Sequence, residues 1–154
     1  MKYLVLGLGN DLVGDDSIGL LAARRIADMY SDVAEVIESD LSGLAMIDLM
    51  VGFQKAIIID AMYTGVYSPG TILELEPESL RYTPSPSPHY SGLPEMIAVA
   101  QKLELEFPSD IRILAIEVEN VHTVGGALSE PVSKCLPEVV NKVGAILHGW
   151  KQDA

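Results

Sequence analysis

The stretch Tyr3-Leu4-Val5-Leu6-Gly7-Leu8-Gly9-Asn10-Asp11-Leu12-Val13-Gly14-Asp15-Asp16-Ser17-Ile18-Gly19 decides the architecture of this chain. Its first six residues are apolar apart from one glycine, the pattern of a strand buried on both faces of a parallel sheet. Glycines and an asparagine follow, residues that let a chain reverse tightly. Beyond the turn, Ile18, Leu21, Ala22, Ile26 and Met29 recur at helical spacing. This predicts a helix to about residue 30, with Asp15 or Asp16 at its N-cap.

The same alternation continues outward. Residues 33–38 read as a second strand, 44–51 as a helical segment and 55–60 as a third strand ending on Asp60. A βαβαβ order implies parallel strands, right-handed crossovers and helices on both faces. After the Ser68-Pro69-Gly70 turn, residues 71–76 alternate as a half-buried strand does, which predicts an antiparallel strand at the sheet edge. Residues 82–90 hold three alternating prolines, so they form a stiff extended loop carrying His89. A helix over 92–105, a strand near 111–118 and a helix over 131–150 complete an α/β chain with a mixed, mostly parallel sheet. No linker or internal repeat divides residues 1–154, so a single domain is expected.

Composition narrows the function. The chain has 154 residues and is 49% hydrophobic, enough for a genuine core. Twenty-two acidic residues against ten Lys and Arg leave a net charge of −12. That field repels phosphate backbones and anionic lipid, and argues against nucleic-acid or membrane partners. Cys135 is the one cysteine, which excludes an intrachain disulfide and a thiolate metal cage and fits a cytoplasmic setting. No secretory leader and no run of about 20 apolar residues is present.

Ligands of open α/β sheets bind beyond the carboxyl ends of the strands. Asp16 follows the first turn, Asp60 ends the third strand and His89 rides on the stiff loop, so two carboxylates and an imidazole are candidates to meet there. Two hard oxygen donors and one nitrogen, with positions left open, suit a divalent transition metal such as nickel or zinc. Taken singly, each has a plainer reading: a helix cap for Asp16, a loop-orienting group for Asp60, a surface or hydrogen-bonded histidine for His89. His122 and His148 have weaker claims. Cys135 reads as a buried helical residue, not a nucleophile. The glycine turn also invites comparison with a dinucleotide fingerprint, with Glu38 or Asp40 as the later acidic residue. Leu12 replaces its third glycine, however, and Asp11, Asp15 and Asp16 crowd the place of a pyrophosphate.

The pattern over residues 7–19 resembles the N-terminal signature of the hydrogenase maturation proteases. Ile57-Ile58-Ile59-Asp60-Ala61, Ser68-Pro69-Gly70-Thr71 and Ser87-Pro88-His89 with Gly92-Leu93 resemble the family's later blocks, in the same order. The resemblance implies a three-layer α/β/α sandwich with a mixed, twisted sheet. It also implies an aspartyl-type, nickel-dependent endopeptidase whose partner is a NiFe-hydrogenase large-subunit precursor. Such an enzyme recognises nickel already inserted in that precursor and removes its C-terminal extension. Carried over by motif, the catalytic and nickel-contacting residues are Asp16, Asp60 and His89, with the nickel supplied by the substrate. Family members often carry glutamate in place of Asp16. Their usual acidic-Gly-Gly or Gly-Thr turn after the second strand appears here as Asp40-Leu41-Ser42-Gly43, a departure from the pattern in which that acidic residue selects the substrate. A non-catalytic large-subunit binding or chaperone module on the same scaffold is the alternative.

Overall fold

Strand β1 (Tyr3–Leu8) is buried along its whole length and is an interior strand of a five-stranded sheet. The computed structural model describes residues 2–10, 14–81, 92–119 and 127–154. The loop expectation over 82–90, with His89, and His122 lie outside the described residues.

Helix α1 (Ile18–Tyr30) is followed by β2 (Glu35–Ser39), the short helix α2 (Met46–Met50) and β3 (Lys55–Met62). Then come β4 (Ile72–Leu75), α3 (Leu93–Lys102), β5 (Asp110–Glu117) and α4 (Glu130–Asp153). The sheet order is β2-β1-β3-β5-β4. β1, β2, β3 and β5 are parallel, and β4 pairs antiparallel with β5 at the edge, as its alternation predicted.

Side-chain alternation along the strands builds two cores. Tyr3, Val5, Ile57, Ile59, Leu114 and Ile116 face α1 and α4 on one side of the sheet. Leu4, Leu6, Ala56, Ile58, Ile113 and Ala115 face α2 and α3 on the other. Both faces of the central strands are therefore dry, which is why their sequences read as continuous apolar runs. The architecture is α/β, with helices on both sides of a mixed, mostly parallel sheet.

Gly7 lies on the α1 face. A Cβ there would come 2.6 Å from the Cβ of Ala23 and would also collide with the Gly19 carbonyl. A Cβ on Gly19 would lie 2.5 Å from the Ile59 carbonyl oxygen. These two glycines let the first turn of α1 rest directly on the carboxyl ends of β1 and β3. At the opposite end of the sheet, Tyr3 donates to the Trp150 carbonyl at 3.0 Å, and Trp150 Nε1 donates to Asp110 at 3.2 Å. α4 is thereby tied down near its own carboxyl end. Among the described residues no helix is long and apolar enough to cross a membrane.

Two expectations are corrected in detail. The helical segment over 44–51 is a 3₁₀ turn over Gly43–Ala45 leading into the five-residue α2. Asp60 does not end β3: the strand continues to Met62 because its ladder with β5 runs on through Asp60 opposite Ala115 to Met62 opposite Glu117.

Candidate functional site

The described residues contain four buried polar or charged side chains: Asp15, Ser17, Asp60 and Glu117. All four are at the carboxyl end of the sheet. Burying carboxylates is costly unless their oxygens are satisfied, so their concentration at one end marks a built site.

Asp60 is fully buried. It falls on the same strand face as Ile58 and Met62, the side covered by α2 and α3. Its Oδ1 accepts from the Ala61 backbone N–H at 2.8 Å. Asp16 lies in the 3₁₀ turn Gly14–Ser17, partly exposed, and that turn packs against β3. The carbonyl of Asp16 rests over Gly9, where any side chain would overlap it. The fold thus brings Asp16 and Asp60 to the carboxyl ends of two neighbouring strands.

Neither aspartate is the N-cap residue of α1. The N-cap residue is Ser17, whose side chain makes no capping bond; its hydroxyl donates to the Gly14 carbonyl at 2.7 Å. Asp15 is turned across the sheet instead. Its Oδ1 accepts from Ser129 N–H at 2.6 Å, and its Oδ2 accepts from the Ser129 hydroxyl at 2.8 Å and from Glu119 N–H at 3.1 Å. Capping would satisfy one or two donors of the local helix, whereas here a single carboxylate satisfies three donors at the end of β5 and the start of α4. Nothing in the local spacing of Asp15-Asp16-Ser17 signals that choice, because the partners are more than a hundred residues away.

Glu117 went unmarked in the sequence. It is buried at the last position of β5, and its Oε2 accepts from Thr64 N–H at 2.8 Å. Its Oε1 accepts from the Thr64 hydroxyl and from Tyr67 N–H at 3.4 Å. A charged residue ending an otherwise apolar strand was the available signal.

Beside Asp16, a cleft of about 370 Å³ lined by Gly9, Asn10, Leu20, Glu38, Ser39 and Asp40 opens beyond β1 and β2. Arg24 pairs with Glu38 at 2.9 Å on its rim. Cys135 is buried in α4, where its thiol donates to the Val132 carbonyl at 3.1 Å. Burial, with Glu138 and Asp15 adding negative charge nearby, pushes its pKa up to about 11. It is a protonated core residue, remote from nucleophile chemistry. His148 is exposed on α4. Among the described residues no three His, Cys, Asp or Glu side chains are grouped as a metal site. The donor set formed by the two aspartates with an imidazole would suit a divalent transition metal, and His89 lies outside the described residues.

The family model for hydrogenase maturation proteases matches residues 21–146. The chain belongs to the hydrogenase maturation protease family. As such it falls among the proteases, which are hydrolases. It is 29% identical over 152 residues to the Hydrogenase 2 maturation protease of Escherichia coli, covering 96% of this chain and 92% of that one. It is 25% identical to the hydrogenase expression/formation protein HupD of Rhizobium leguminosarum, over 97% of this chain and 75% of the relative. Among solved structures, the E. coli hydrogenase maturating endopeptidase HybD superposes with a TM-score of 0.82 at 25% identity, covering 97% of this chain and 93% of that one. The fold is shared as well with the Thermococcus kodakarensis maturation protease HybD, at a TM-score of 0.75 and 24% identity, over 96% of this chain and 99% of that one. In this maturation protease the shared fold carries Asp60 near the carboxyl end of β3, Asp16 in the turn that packs against it and the clamp made by Asp15.

Proposed function

We propose that this protein is the endopeptidase that removes the C-terminal extension of a NiFe-hydrogenase large-subunit precursor, reading the nickel already held by that precursor through Asp16, Asp60 and His89. The observation that carries the reading is Asp60. A buried carboxylate near the carboxyl end of a central strand, beside the turn that bears Asp16, stands where open α/β sheets bind their ligands and is placed to meet a charge that arrives with the substrate.

Two carboxylate oxygens and an imidazole nitrogen make a donor set that binds nickel while leaving positions for the substrate's own ligands. The substrate-borne cation supplies Lewis-acid polarisation of the scissile carbonyl and lowers the pKa of water toward about 7. Asp16 or Asp60 then takes the proton of the attacking water and returns it to the leaving amine. Because the grip needs nickel, a precursor without metal is not positioned, and recognition and proofreading become one event. The buried, protonated Cys135 plays no part in this chemistry.

The test is in vitro processing of the precursor, loaded with nickel or empty, followed by its mobility shift on gels. Wild-type protein is expected to shorten only the loaded form, and Asp16→Asn, Asp60→Asn and His89→Ala to leave it uncut while remaining folded. Normal cleavage of loaded precursor by all three variants overturns the nickel reading. Tight binding without any cleavage by the wild type selects a non-catalytic chaperone module instead.

A further inference from the structure

Resting on that reading, we infer that the loop Tyr63–Thr71 is the lip on which uncharged residues flanking the scissile bond dock, and that Glu117 is the positioning residue that holds this lip beside Asp60.

The loop begins three residues after Asp60 and joins β3 to β4. Glu117 supports it through both its backbone and its side chain. The Glu117 carbonyl accepts from Gly70 N–H at 2.8 Å, and the Glu117 N–H donates to the Thr71 carbonyl at 2.9 Å. The carboxylate accepts from Thr64 N–H, the Thr64 hydroxyl and Tyr67 N–H. Within the loop, Thr64 Oγ1 accepts in turn from Val66 N–H at 3.1 Å. At its far end Gly70, with φ +91°, presses on α4: a Cβ there would lie 2.6 Å from the Pro131 carbonyl oxygen. A loop held at this many points is a fixed surface.

Register places Glu117 opposite Met62 and Asp60 opposite Ala115 on the same pair of strands. Alternation puts Asp60 and Glu117 on the same face, one pleat apart. The two buried carboxylates have different work. Asp60 is the reacting group in the proposed chemistry, whereas Glu117 uses its oxygens on loop donors.

The outer side of this loop carries Tyr63, Val66 and Tyr67, which are 55%, 76% and 44% exposed. Residues 61–73 contain no charged side chain, in a protein of net charge −12. On the opposite flank, the cleft by β1 and β2 is lined by Glu38 and Asp40. A peptide crossing the site therefore meets an acidic wall on one side and a neutral apolar lip on the other. The lip's chemistry selects apolar, uncharged side chains and rejects carboxylates next to the cut bond.

The experiment measures KM and kcat for a nickel-loaded precursor, together with equilibrium binding of a nickel-loaded precursor whose scissile bond has been made uncleavable. Val66→Asp, at a surface position that folding does not use, is expected to raise KM by about tenfold with the loss falling on KM more than on kcat. Glu117→Gln turns an amide toward three donors and is expected to move KM the same way. Both are expected to weaken binding of the uncleavable precursor. Wild-type KM and binding for Val66→Asp, or a loss confined to kcat in both variants, overturns the lip. If wild-type protein binds but does not cut, the endopeptidase reading fails, and the binding arm still decides the lip on its own.

Discussion

The carbonyl of Asp16 occupies the space that a side chain on Gly9 would need. Gly9 also holds φ +155° and donates to the Ser39 carbonyl at 3.1 Å, so it is fixed between β2 and the turn bearing Asp16. The obstacle is backbone, not the end of a flexible chain. Gly9→Ala is therefore expected to displace the turn and cost roughly 2 kcal/mol or more of stability. Processing should fall by at least about tenfold, since an Å-scale misplacement of a reacting group has that effect. Urea unfolding and a processing assay on the same preparation check both; an alanine variant with wild-type values in each contradicts the close approach.

Asp60 is expected to behave as a group kept for chemistry and not for stability. Asp60→Asn preserves shape and an oxygen acceptor for Ala61 N–H while removing a buried charge. Its stability should stay within about 1 kcal/mol of wild type, in either direction, while cleavage is lost. A variant that unfolds would place Asp60 in the structural framework instead.

Asp15 should show the reverse balance. Asp15→Ala leaves Ser129 N–H, the Ser129 hydroxyl and Glu119 N–H without their acceptor, for a cost of roughly 2–3 kcal/mol. Ser129→Ala removes one of the three bonds and should cost about 1 kcal/mol. Thermal melts of the two variants test the order; equal effects would mean that the backbone bonds to Asp15 contribute little.

Cys135 supplies a pH signature. Its thiol is raised from an ordinary 9.0 to about 11 by burial, so the folded protein holds this proton more tightly than the unfolded chain. The associated stability is complete below pH 9 and disappears as pH rises from about 9 to about 11. Comparing chemical denaturation of wild type and Cys135→Ala across that range should show a steeper alkaline decline for the wild type. Native protein at pH 8 should also resist thiol alkylation until denaturant is added; rapid alkylation of folded protein would refute the burial argument.

Much of the framework was legible in local pattern. The apolar run over 3–8 became β1 at those bounds, the helical spacing from Ile18 became α1 to Tyr30, and the alternation over 71–76 became the antiparallel edge strand β4. Each depends on near neighbours and on a periodicity that the sequence displays directly. The positions of Asp16 after the first turn and Asp60 on the third strand follow from the same local signals.

What the sequence by itself determined is thus the α/β order and the end of the sheet at which the acidic residues collect. Only the tertiary structure decided what two of those carboxylates hold. Asp15 reads locally as a helix cap and is instead the acceptor for Glu119 and Ser129; Glu117, which the sequence did not single out, is the anchor of the loop after Asp60. The physical reason is range. Periodicity and capping preferences are set by residues within a turn or two, whereas a buried carboxylate goes wherever folding brings donors it can satisfy, and those donors are fifty or more residues away.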